Sequence, residues 1–124
     1  MSSLQTVLEE KCEVLLRERG VLFAGLISKS GKLVSGGFKS GIKIVDESEK
    51  EILFMEHVLM ATMNNDFDNC FGRVLYTISK REKMTIINFS IDSSLFLIAV
   101  DPIDDTKKET SKIQQIIKNF ATRM

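Results

Sequence analysis

Apolar positions along the chain change period several times, and each change marks an element. Leu4, Val7, Leu8, Cys12, Leu15 and Leu16 recur every three or four residues, which predicts an amphipathic helix ending at Gly20. "VLFAGLIS" is nearly continuous apolar sequence, as in a strand covered on both faces. The group Lys29-Ser30-Gly31-Lys32 has turn chemistry and leads into "KLVSGG", so the two stretches predict a hairpin. Asp46 with Glu49 forms a capping pair ahead of "KEILFMEHVLMATMNND", the second helix. "RVLYTIS", "MTIINFS" and "LFLIAV" follow as a meander with turns at Lys80-Arg81-Glu82-Lys83 and Asp92-Ser93-Ser94. Pro102 ends the last strand. Thr106 with Glu109 is a second capping pair, opening a third helix striped by Ile113, Ile116, Ile117, Phe120 and Met124.

The order α-β-β-α-β-β-β-α constrains the topology. The two most apolar strands belong at the centre, and hairpin neighbours lie side by side. The expected architecture is an α+β fold: one five-stranded antiparallel sheet of order 2-1-5-4-3 in an α/β/α sandwich. The second helix crosses one face and the terminal helices cover the other. At 124 residues this makes a single domain, residues 1–124, large enough to bury a core without metal or disulfides.

Seventeen basic and seventeen acidic residues leave no net field toward nucleic acid or an anionic membrane. No apolar run approaches the length that crosses a bilayer. Cys12 and Cys70 lack CxxC spacing, and the N-terminus carries acids where a signal peptide is basic. Reduced thiols and a cytoplasmic location are expected.

The glycine-rich "GLISKSGKLVSGGFKSG" invites comparison with a phosphate-binding loop. Gly36 and Gly41 are correctly spaced, but Ile42 stands where the lysine must reach the phosphates, and no GxGxxG pattern is present. The expectation is a hairpin with a flexible exit and no nucleotide. His57 is the only histidine, which excludes a two-histidine metal site. Asp66 and Asp68 have calcium-loop spacing, but Phe71 and Thr77 replace the required glycine and glutamate, so helix end and loop are expected. There is no GxSxG elbow, and the Asn88-Phe89-Ser90 sequon lies in a strand. No catalytic group, cofactor or metal is assigned. Lys80, Arg81 and Lys83 form a basic hairpin tip that could contact an anionic partner, although solvated turn charge is the commoner role.

The second helix exceeds what one sheet face needs. Ile52, Met55, Leu59 and Met63 make one apolar face, while Phe54, Val58 and Ala61 make another. If the first lies on the sheet, the second requires a loop, a helix or another subunit.

With this strand order, the "GLISKSGKLVSGG" hairpin resembles the opening of the roadblock/dynein light chain family and its profilin-like relatives. "FAGLISKSGKLVSGG", "FMEHVLM" and "SKREKMTIINF" are also similar to a group of archaeal proteins of unknown function. The roadblock resemblance implies a homodimer that pairs the crossing helix and the third strand, and a platform for small Ras-like GTPases. It places Phe54, Val58, Ala61 and His57 at the dimer interface, with "RVLYTIS" (Arg73, Leu75, Thr77) as the paired edge. The long "KSGIKIVDESEK" connection and the charged hairpin depart from the family pattern. The implied function is a non-enzymatic adaptor that binds another protein. The alternative is a small-molecule sensor with a pocket between sheet and helix, which convergent polar lining would favour.

Overall fold

The structure, a computed structural model, describes residues 3–91, 94–102 and 106–122. Side chains at 3–5, 106–107, 109–110 and 120–122 lie outside that description, and with them the expected contacts of Leu4, Thr106, Glu109 and Phe120, as do the whole of Asp92, Ser93 and Met124. The elements are α1 (Ser3–Arg17), β1 (Val21–Ile27), β2 (Leu33–Phe38), α2 (Glu47–Asn64), a 3₁₀ turn (Asn65–Phe67), α3 (Asp68–Phe71), β3 (Thr77–Lys80), β4 (Thr85–Ile91), β5 (Ser94–Val100) and α4 (Thr106–Thr122). The strands form one antiparallel sheet of order β2-β1-β5-β4-β3, as the hydrophobic pattern predicts.

Side chains of successive strand residues point to opposite faces, which divides the core in two. Phe96, Ile98 and Val100 of β5, with Ala24, Leu26 and Ile87, join Leu8, Cys12 and Leu15 of α1 and Ile113 and Ile116 of α4. Leu95, Leu97 and Ala99 point the other way and meet Phe54 and Val58 of α2, with Phe23, Ile27 and Ile86. Every residue of β1 is buried, which accounts for its unbroken apolar sequence. Lys11, itself buried, carries its ammonium to the Asn119 carbonyl and so links the two terminal helices.

The glycine-rich stretch is a hairpin. Ser28 N–H donates to the Lys32 carbonyl at 2.8 Å and Gly31 N–H to the Ser28 carbonyl at 2.9 Å, closing the turn. Pairing of β1 with β2 shifts register between Leu26 and Ile27. At Gly36 the backbone takes φ +82°, and an added Cβ would lie 2.1 Å from the Ala24 carbonyl oxygen, so only glycine fits. Beyond β2, the Lys39 ammonium donates to the Glu18 carbonyl at 2.7 Å, holding the chain's exit against the end of α1.

Candidate interaction surface

Asp46 starts α2 with a complete capping box. Its carboxylate accepts from Glu49 N–H at 2.8 Å, and its own N–H donates to Glu49 Oε1 at 2.9 Å. The Glu49 N–H, with Ser48 Oγ–H assisting, holds the Asp46 carboxyl below its ordinary pKa. The helix then lies on the sheet through Phe54, His57 and Val58, all buried, with Leu53 and Ala61 partly buried beside them. Phe54 packs on Phe23 with ring centroids 5.6 Å apart.

This exchanges the two helix faces anticipated from the sequence. Phe54, His57 and Val58, expected at a dimer interface, belong to the interior of the chain, and Ala61, expected with them, is partly buried against the same cluster. Ile52, Met55, Leu59 and Met63, expected on the sheet, point outward, with Leu59 56% and Met63 68% exposed. The reason is steric and polar together. Phe54 fills the space over Phe23, and His57 finds Asn88 on the sheet surface, where the Asn88 amide nitrogen donates to His57 Nδ1 at 2.9 Å. Burial lowers the His57 pKa; Glu56 opposes the shift and Arg81 adds to it. The accepting Nδ1 belongs to the neutral ring carrying its proton on Nε2.

Past α2 the exposed apolar surface continues. Phe67 and Phe71 stack with centroids 5.7 Å apart and an interplanar angle of 19°, yet both face solvent, Phe71 at 82% exposure. The expected helix end and loop at Asp66–Phe71 is thus a 3₁₀ turn and a one-turn helix; the Phe67/Phe71 spacing of four residues was the available signal. Leu75, Tyr76 and Ile78 are exposed in turn.

The third strand is shorter than "RVLYTIS" suggests. Arg73 and Leu75 precede it, and only Thr77 of the three expected edge residues lies in β3. Thr77 pairs with Asn88 of β4, and its Oγ1 accepts from the Asn88 amide nitrogen at 3.4 Å. β3 ends the sheet, so its other side has no strand partner among the described residues. Lys80, Arg81 and Lys83 occupy the β3–β4 hairpin as expected, all exposed, with Arg81 N–H closing the turn on the Met84 carbonyl at 2.8 Å.

Among the described residues, no group of three or more His, Cys, Asp or Glu side chains could hold a metal ion. No described helix is long and apolar enough to cross a membrane. The chain is similar in structure to a roadblock/LC7 domain from Streptomyces avermitilis, with 12% identity over 93% of this chain and 95% of that one and a TM-score of 0.60. It is also similar to the gliding protein MglB from Thermus thermophilus, at 15% identity over 100% and 95% of the two chains and a TM-score of 0.65. A third similar structure is MglB in a tetrameric arrangement, at 15% identity over 99% and 91% and a TM-score of 0.69. Identities this low speak for the fold alone, and the fold is that of roadblock/LC7 domains. No curated protein matches the sequence. A family match runs across both helical layers and the whole sheet, from residue 4 to residue 122, and by it the chain belongs to the family of unknown function DUF6659.

Proposed function

We propose that the protein is a non-enzymatic, homodimeric adaptor of the cytoplasm that binds another protein, and that it self-associates through the outward side of α2 and the open edge of β3. The observation that carries this reading is the run of exposed apolar groups along the chain from Leu59 and Met63 through the Phe67/Phe71 stack to Leu75 and Ile78, beside a strand whose outer edge has no strand partner among the described residues. Apolar groups concentrated in this way mark an association surface. Two copies related by a two-fold axis would pair β3 with β3 and cover both α2 flanks at once, because such an interface uses the same patch twice. The tetrameric arrangement of the structurally similar MglB supports a fold that associates with itself. The roadblock resemblance points to a small Ras-like GTPase as the class of protein partner.

The non-enzymatic reading is supported by the engagement of the only histidine, which is turned inward and accepts from Asn88. Sedimentation equilibrium at micromolar concentration tests the dimer and should give twice the 14.0 kDa chain mass. A double variant, Leu59→Asp with Ile78→Lys, should remain folded and sediment as a monomer. A wild-type protein that stays monomeric at high concentration refutes the reading.

A further inference from the structure

Asn88 lies between Ile87 and Phe89 in β4 and is only 7% exposed. A carboxamide placed there must satisfy two N–H donors on Nδ2 and two lone pairs on Oδ1 away from bulk water. Nδ2 is served: it donates to His57 Nδ1 at 2.9 Å and to Thr77 Oγ1 at 3.4 Å. Oδ1 is not. It is buried and has no hydrogen-bond partner among the described residues. Turning the amide over does not cure this, because Oδ1 would then meet His57 and Thr77 and leave the two N–H groups over.

Asn88 also lines a cavity of about 20 Å³ between the C-terminal half of α2, β3 and β4. A water molecule needs about 10–15 Å³ of such volume and two to four polar partners. The cavity meets both conditions, since Asn64 of α2, Thr77 of β3 and Ser90 of β4 line it beside Asn88 and His57. Among the described residues no carboxylate, lysine or arginine lines it, so neither a cation nor an anion finds a counter-charge there. A hydrocarbon group would leave Oδ1 unpaired.

We propose that this cavity is the binding site of a single water molecule, which donates to Asn88 Oδ1 and bridges to the polar side chains of α2 and β3 that line the same space. Water suits the amide in either orientation, because it both donates and accepts. The bridge has a consequence for the sheet edge. No residue of β3 is buried, so little apolar packing holds that strand. The Thr77–Asn88 bond and a shared water tie it to β4 and α2 instead. All the lining residues come from one chain, so the site stands or falls independently of the dimer.

A crystal structure of the full chain grown in rubidium chloride tests the assignment, together with oxygen-17 relaxation dispersion in solution, which detects waters held for long times. Density for one oxygen within about 3.2 Å of the Asn88 amide, without a rubidium anomalous peak, is expected. Asn88→Leu, which removes the acceptor, should lower the dispersion by one molecule. Ala61→Val, on the partly buried wall of the cavity, keeps the test independent of whether Asn88→Leu folds. It displaces the water, and β3 amides should exchange hydrogen about three- to tenfold faster. In a dry cavity the added methyl groups would fill a void and slow that exchange. Exchange is read in β3 because the lower helix propensity of valine acts on α2. A dry cavity in the crystal, a rubidium peak, dispersion unchanged in the variants, or β3 exchange unchanged or slower in Ala61→Val would each overturn the proposal.

Discussion

The Asn88 side-chain amide donates to His57 Nδ1 at 2.9 Å and so joins α2 to β4 across the layer boundary. This bond needs a neutral imidazole, because a protonated Nδ1 has no lone pair to offer.

Acid should therefore loosen α2. Burial sets the folded pKa of His57 below its ordinary 6.5, with Glu56 opposing and Arg81 reinforcing the shift. The unfolded chain binds the proton more readily, so this contribution to stability is complete above about pH 6.5 and is lost as pH falls through the folded value. Urea denaturation between about pH 8 and pH 5 should show the decline, and His57→Gln should flatten it over the same range. The cap carboxylate of Asp46 titrates below 3.8 and leaves that window clear.

The two faces of α2 should respond in opposite ways to the same substitution. Val58 is buried among Phe54, Leu95 and the sheet, so Val58→Asp places an unpaired charge in the core and should cost roughly 3–5 kcal/mol. Met63 is 68% exposed, and Met63→Asp should change monomer stability by no more than about 0.5 kcal/mol. Circular dichroism during thermal unfolding distinguishes them: a folded Val58→Asp protein would contradict the packing described.

Gly36 and Gly41 have nearly the same positive φ, +82° and +83°, but different surroundings. A Cβ at Gly36 meets the Ala24 carbonyl at 2.1 Å and Cys12 Sγ at 2.9 Å, whereas at Gly41 nothing lies within 4 Å. Gly41→Ala should cost about 1–2 kcal/mol for the left-handed backbone alone. Gly36→Ala should cost clearly more, because the β1–β2 pairing must move, and chemical denaturation of the two variants provides the comparison.

The two thiols should also separate cleanly. Cys12 is buried and its pKa is pushed up to about 11, chiefly by desolvation, with Glu9 and Glu13 adding and the Ser35 hydroxyl opposing. Cys70 is exposed. Maleimide labelling of the native protein followed by mass spectrometry should add one label, at Cys70, and a second only after denaturation.

Strand order was legible in the sequence because β1 and β5, buried on both faces, read as almost unbroken apolar sequence, whereas β4, buried from Thr85 to Phe89, still carries Thr85 and Asn88. The capping pair Asp46 and Glu49 was equally readable, since it is a local contact. The orientation of α2 was not. Its two apolar stripes are similarly long, and periodicity identifies stripes without ranking them. What distinguishes them is tertiary: Phe54 has Phe23 to pack on and His57 has Asn88, and neither partner is near in sequence. The interface residues inferred from the roadblock resemblance followed that orientation, so Phe54, Val58 and Ala61 moved inside with it. The start of β3 failed for a related reason. Arg73 to Tyr76 carry strand-like residues but have no pairing in the sheet, and β propensity alone does not make a strand.

The ends of the sheet are unlike. β3 presents an open edge among the described residues, but β2 carries Gly36 at φ +82° and borders the register shift between Leu26 and Ile27. Growth of a polymer by strand addition needs two usable edges on every unit, one to receive and one to offer. A subunit whose far edge is irregular can be added once and then terminates the array. If two copies pair through β3 as proposed, that pairing is self-limiting, because it consumes the regular template and leaves a closed particle with nothing to propagate.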